Sequence, residues 1–459
     1  MRYDVVIVGA GLAGLAAGIR LAQFDRRVLI LERHWLWGGL NSFYKKQGVL
    51  YDVGLHAVTN YGESGPSPAG GRPPLKRLCR QLRIRFEELD LVPQGRSSIR
   101  FDDSVLPLTN QYEDFVSAAE QIWRSEGAGL RALAHDVRYP DTLSDRAFVS
   151  AREQLERYIS EQLLREMILL PLFYYGNARS DDMDWGDFQV LFSSIFLEGL
   201  CRPRAGMRPF LGLLRRRFLQ AGGTLWCNSA VTGIEDGEPV RVHVQGKGEV
   251  QASQVLSSAG RTETARLLGT AESCESGSEP RLSFMETAWV LRRDPSAYGY
   301  DDCVTFFNRG CAVRWRTPEE DVDTASGVLC CPNHYPGSSS PSQVVLRATH
   351  LARPESFLGV DGEEYRRRKD EAESRILAAA ESWVGSFGRD IVQKDAFTPA
   401  TVYHYTGHDG GAIYGSAVKA PTGATGSPRV HLIGTDQGLV GIVGAMTSGV
   451  AIANARVLA

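Results

Sequence analysis

Gly9, Gly11 and Gly14 stand between an aliphatic run, Val5-Val6-Ile7-Val8, and an alanine-rich stretch continuing to about Phe24. A second aliphatic run, Val28-Leu29-Ile30-Leu31, ends at Glu32. This spacing suits capture of a pyrophosphate. The first glycine permits a tight turn, the second lets backbone approach phosphate, and the third lets a helix pack closely on a strand. A helix starting at Leu12 and Ala13 turns its unpaired N–H groups and partial positive charge toward the anion. At the end of the second strand, the Glu32 carboxylate can accept from adenosine ribose hydroxyls. Consecutive β-formers at residues 4–8 and 28–31 read as buried strands, so the start of the chain is a strand–helix–strand unit.

Further glycine-rich segments follow. Arg33 leads to Gly38-Gly39-Leu40-Asn41, and then to Tyr51-Asp52-Val53-Gly54-Leu55-His56. In the middle of the chain, Ala205-Gly206-Met207 opens a helix to about Gln220. Val231 lies in a strand after it, and a further strand over residues 250–258 leads to Ala259-Gly260. Near the end, strand residues 430–433 run into Gly434-Thr435-Asp436-Gln437-Gly438. Gly441-Ile442-Val443-Gly444 then starts a helix to about Leu458. That helix would aim its positive end at a bound group.

The double glycine after the acid, the Asp52-to-His56 segment and the C-terminal return resemble the amine oxidase and carotenoid desaturase superfamily of flavoproteins. The resemblance implies FAD as cofactor. It places Arg33, Gly38, Gly39, Leu40, Asn41, His56, Val231, Ala259, Gly260, Gly434, Asp436, Gly441, Ile442 and Val443 against it, beside Gly9 to Gly14 and Glu32. The expected fold is α/β: a discontinuous Rossmann-type FAD-binding domain (1–72, 203–270 and 395–459) with an inserted α+β substrate-binding domain (73–202 and 271–394). One departure is Ala205, where the family usually has a glycine.

Residues 171–176, Thr398-Pro399-Ala400-Thr401 with residues 410–415, and the closing 434–449 region resemble a narrower group of carotenoid desaturases, carotenoid isomerases and retinol saturases. That resemblance implies a long apolar polyene or isoprenoid as substrate. It covers both flavin edges and is weak over 271–394. Phe173, Tyr174, Tyr175, His404, Tyr405 and Tyr414 are the expected substrate walls, and residues 167–175 either line a tunnel or form ordinary core. His56 is the candidate beside the ring, either shuttling a proton or making a structural hydrogen bond. Asp182 is a weaker candidate acid or base. Two other functions fit the same motifs: a flavin amine oxidase, and a flavin-binding protein without turnover.

Composition narrows the field. Hydrophobic residues at 43 % and charged residues at 23 % allow a sizeable core, and a net charge of −3 gives no reason to expect nucleic acid. The eight cysteines contain no C-x-x-C pair and no metal pattern, so reduced thiols and a cytoplasmic location are expected. No uninterrupted run of 18 apolar residues occurs, and no signal peptide is read at the start. A bilayer-held substrate would call for peripheral docking on an inner membrane face. The candidate docking features are Arg215-Arg216-Arg217, Arg366-Arg367-Arg368-Lys369 and the apolar stretch 185–196, with solvated helix faces as the plainer reading of the charges. The sequence sets no oligomeric state.

Overall fold

Arg2–Val8 lies inside a seven-stranded sheet, flanked in parallel by Val28–Leu31 and Gly248–Ser257. The computed structural model describes residues 1–62, 72–137, 143–270, 281–338 and 344–459. Thr224–Trp226 extends the parallel part beyond Val28–Leu31. Gly248–Ser257 is long enough for two partners on its other side. Its first half holds the antiparallel Val240–Val244 and its last residues hold Val430–Leu432 in parallel. Val231–Glu235 closes that edge. Val5, Val6 and Ile7 are wholly buried, as a parallel strand covered on both faces requires.

The helix Leu12–Ala22 covers one face of this sheet together with Met207–Gln220 and the closing helix Gly441–Ile452, in one apolar core. Residues 441–458 are long and apolar enough by composition to cross a membrane, yet this segment packs on Leu12–Ala22 as a core helix.

A second seven-stranded sheet runs in the order Ile391–Phe397, Ser283–Leu291, Val344–Ala352, Ser326–Cys330, Val304–Asn308, Ser98–Phe101, Ser104–Pro107. The first sheet takes its strands from the three expected cofactor segments. The second takes them from the two inserts, except that its edge strand runs past residue 394. The turn at Asp102-Asp103 joins two short strands, as their sequence suggests.

Several expectations change. Thr109 is a residue type that caps helices, but the helix after it is Tyr112–Ile122 with Gln111 at its N-cap, and the Thr109 hydroxyl is engaged with Gln111 and Asp114. Ser150 does cap a helix, accepting from the Glu153 N–H, but that helix is only Ala151–Leu155. A separate helix, Gln162–Gly176, follows. Residues 185–196 are not an exposed apolar stretch. Trp185, Phe188, Phe192 and Phe196 stack in sequence with centroids 4.7, 5.5 and 5.1 Å apart, and the last three are buried. The basic runs are engaged too. Arg215 lies over Trp37, Arg217 pairs with Glu88, Arg367 and Arg368 pair with Glu364, and Lys369 donates to the Ala396 carbonyl. Residues 63–74, rich in glycine and proline, read from their sequence as a loop and lie, apart from 72–74, outside the described residues. So do two of the three serines at 338–340.

Candidate active site

The turn after Arg2–Val8 is built by contacts that leave one place open. Gly9 has φ +97° and donates to the Leu31 carbonyl at 2.8 Å. A Cβ on Gly14 would strike the Gly9 carbonyl oxygen at 2.0 Å, so Gly14 serves helix packing and does not line the site. A Cβ on Gly11 would meet nothing within 4 Å. Gly11 is the N-cap of Leu12–Ala22 and offers no side-chain cap, so the first N–H groups stay available to an anion. Gly38 pairs with Gly11 as a parallel bridge and donates to the Ala10 carbonyl at 2.9 Å, bringing the second glycine segment against the first.

Glu32 is 8 % exposed. One carboxylate oxygen accepts the Ala10 N–H at 2.8 Å and the other accepts the His34 N–H at 2.9 Å. Each oxygen keeps a second lone pair, and Glu32 lines the cavity. Arg33 also lines it, with its guanidinium donating to the His404 carbonyl.

This cradle is one end of a cavity of 1490 Å³, larger than the roughly 300–1,000 Å³ of a typical small-ligand site. Gly9, Gly11, Leu12, Ala13, Gly38, Gly39, Leu40, Asn41, Val231, Ala259, Gly434, Gly441, Ile442 and Val443 all line it. The helix Gly441–Ile452 starts here, again without a side-chain cap. An open approach at Gly11, the uncapped helix that starts there, a cavity-lining acid at the end of the next strand and a second uncapped helix make a set of groups that fits FAD.

Besides Gly14, two expected cofactor residues stand back from the cavity. Gly260 precedes the helix Arg261–Leu267 and does not line it. Asp436 is 2 % exposed and accepts the Arg261 N–H at 2.6 Å and the Ser416 N–H at 2.7 Å. Through these backbone N–H groups its carboxylate ties the segments at 261 and 416 to its own turn.

Beyond the cradle the walls are aromatic and apolar. Tyr174, Tyr175, Phe284, Ile413 and Tyr414 line this part, and Tyr405 lines the cavity at an exposed position. Phe173 does not: it is fully buried against Trp315. His404 also lies outside, on a small surface depression. Residues 167–173 are therefore core, and only the last turn of that helix reaches the cavity. The Tyr175 hydroxyl is buried and has no hydrogen-bond partner among the described residues. Asp182 is not a cavity acid. It accepts from the Ser150 hydroxyl at 2.6 Å and the Met183 N–H at 2.8 Å, tying one loop. Asp187 does line the cavity, where burial pushes its carboxyl up to about 6 against the pull of Arg146.

His56 lines the cavity and carries a network absent from the sequence reading. Its Nε2 lies 3.0 Å from Glu286 Oε2 and 2.9 Å from Thr349 Oγ1. Glu286 also binds the Arg347 guanidinium, with both partners almost fully buried. Glu286 and Thr349 stand directly opposite each other on neighbouring strands, and Arg347 lies two residues along on the same face. Burial works against the Glu286 charge, but Arg347 and His56 outweigh it and hold the carboxyl down to about 2. A clue was present in the sequence: single charged residues inside otherwise uncharged strands, Ser283–Leu291 and Val344–Ala352, must find partners if those strands are buried. Among the described residues no cluster of His, Cys, Asp and Glu could hold a metal.

Comparison with known proteins agrees with this geometry. The flavin-containing amine oxidoreductase family matches residues 12–455. Prolycopene isomerase 1 of an Oncidium hybrid cultivar is 21 % identical over 93 % of this chain and 78 % of its own length. All-trans-retinol 13,14-reductase of Danio rerio is 40 % identical over 14 % of this chain and 10 % of its own. Among solved structures, an oxidoreductase from Methanosarcina mazei superposes with a TM-score of 0.67 at 15 % identity, covering 98 % of this chain and 99 % of that one.

Proposed function

The chain belongs to the flavin-containing amine oxidoreductase family and is a flavin oxidoreductase with FAD as its cofactor, and we propose that its substrate is a long apolar polyene or isoprenoid whose carbon–carbon double bonds it forms, removes or isomerises. The observation that carries this reading is the cavity wall beyond the cradle. Tyr174, Tyr175, Phe284, Ile413 and Tyr414 present rings and aliphatic surface there, and an unsaturated chain can lie against such a wall by stacking and burial. The names of the two relatives, an isomerase of prolycopene and a reductase of retinol, point to the same class of bond.

When bound, FAD supplies the site that accepts or returns hydride or electrons. The chain's own part is to hold and to exclude. The uncapped helix starts at Leu12 and Gly441 fix the cofactor's charge. The aromatic wall orients an apolar chain by shape, since such a substrate has few groups to grip. His56, held by Glu286 and Thr349, stands beside that wall, with its ring stacked 6.2 Å from Tyr175.

The test is anaerobic bleaching of the flavin's visible absorption. Polyenes and isoprenoids in detergent form one panel and amines in buffer the other. Bleaching by the first panel alone supports the reading, and bleaching by an amine overturns it. If neither bleaches, the flavin is reduced chemically and the polyene panel is repeated. Reoxidation or isomerisation then supports the reading, and inertness to every polyene overturns it.

A further inference from the structure

The hydrogen count around His56 settles which ring nitrogen is free. Thr349 Oγ1 lies 2.8 Å from Glu286 Oε2, and a carboxylate can only accept, so the single hydroxyl proton of Thr349 is spent there. Thr349 therefore has only lone pairs left for His56 Nε2. Glu286 Oε2, facing the same nitrogen, likewise has only lone pairs. A bare Nε2 would oppose two acceptors at 2.9 and 3.0 Å, so Nε2 must carry the hydrogen. Among the described residues both ring hydrogen bonds of His56 are at Nε2, and none reaches Nδ1.

The rest of the residue cannot turn away. The His56 carbonyl accepts from Arg202 at 3.2 Å and from the Tyr335 hydroxyl at 3.2 Å, with the Cys330 thiol at 3.7 Å. Arg202 is itself paired with Asp52. Arg347 fixes Glu286 from the far side through Oε1, leaving Oε2 for the histidine.

We propose that Glu286 is a positioning residue: with Arg347 behind it and Thr349 beside it, it locks His56 in the Nε2–H tautomer and leaves Nδ1 as the proton-accepting atom at the cavity wall. Glu286 acts through His56, although it and Thr349 also line the cavity. The charged and titratable groups around the ring are Glu286, Arg347, Arg202 and Tyr175. Burial, the largest influence, together with the two arginines holds the imidazole below its ordinary value, against the pull of Glu286. The neutral ring is then the resting form near pH 7, as a proton acceptor requires.

The inference uses the cavity of the functional reading but not its substrate, so the two can fail separately. Holoprotein carrying ¹⁵N-labelled histidine is observed by NMR, with His56→Gln assigning the resonance. The expected wild-type spectrum places the His56 hydrogen on Nε2 and an unprotonated nitrogen at Nδ1, persisting below pH 6.5. A wild-type hydrogen on Nδ1 overturns the proposal with no variant needed. Glu286→Gln keeps the side chain's shape and can present N–H to the ring. It is expected to give Nδ1–H or a mixture of tautomers, and to shift the acidic limb of the rate profile for any substrate that reduces the flavin. If Glu286→Gln folds and leaves the tautomer unchanged, the positioning role is refuted. If it does not fold, the wild-type tautomer and its pH dependence decide.

Discussion

A Cβ placed on Gly14 would lie 2.0 Å from the carbonyl oxygen of Gly9, whereas one placed on Gly11 would meet no protein atom within 4 Å. Two glycines of one motif thus answer to different constraints, and substitution separates them. Gly11→Val should fold with an unfolding midpoint near wild type and yet purify without flavin, because only the ligand's space is filled. Gly14→Val should lose stability outright, by more than the ~1–3 kcal/mol usual for overpacking, since the obstacle is backbone. Flavin absorbance per chain and chemical unfolding are the two measurements. A Gly11→Val protein with stoichiometric flavin would contradict the cradle.

Glu32 joins the turn to the second strand and faces the cavity. Its removal in Glu32→Ala should weaken FAD by roughly 10- to 100-fold, the scale of hydrogen bonds to a charged acceptor at about 1.5–3 kcal/mol. Titration of apoprotein with FAD reads this directly, and an unchanged dissociation constant would make Glu32 purely structural.

Tyr175 buries a hydroxyl with no partner among the described residues. An unsatisfied buried group costs about 1–3 kcal/mol, so Tyr175→Phe should stabilise the ligand-free protein while slowing turnover of whatever substrate meets that hydroxyl. Unfolding by urea and single-turnover flavin reduction test the two halves. Lower stability in the variant would mean that the hydroxyl is already satisfied.

His350 is fully buried on Val344–Ala352, with Nδ1 donating to the Asp323 and Ser326 carbonyls at 2.8 and 2.9 Å and Nε2 unpartnered. Burial pulls its folded value down to about 4 from an ordinary 6.5. A depressed value means that the unfolded chain binds the extra proton first. The stability held by neutral His350 is therefore full above pH 6.5 and is lost as pH falls toward 4, by roughly 3 kcal/mol over that window. His350→Asn keeps a donor for the carbonyls and removes the titration. Its unfolding free energy should fall less steeply between pH 6.5 and 4, and an unaltered slope would refute the assignment.

Phe192 stacks between Phe188 and Phe196 inside the core. Phe192→Ala should cost about 3–5 kcal/mol of stability without changing the fraction of folded protein that sediments with lipid vesicles. A selective loss of vesicle binding at unchanged stability would restore this stretch as a membrane-facing one.

The cradle was readable in the chain because its parts are local. Strand, turn, helix and next strand lie within residues 2–32, and Gly14 packs against the Gly9 carbonyl of the same turn. The apolar helix at 162–176 is a different case. From Met167 onward its residues are apolar on every side, so no periodicity says that Tyr174 and Tyr175 reach the cavity while Phe173 meets Trp315. Asp182 and Asp436 look like ligand groups when read beside their motifs, and only the folded loops bring backbone N–H groups close enough to claim them. The His56 network depends most on tertiary structure. Glu286 is 230 positions from His56, and Thr349 and Arg347 reach the same point from the neighbouring strand. A buried charge requires a partner, which the sequence makes evident for these strands. Which partner it finds is set by sheet register, and register exists only once the strands have paired.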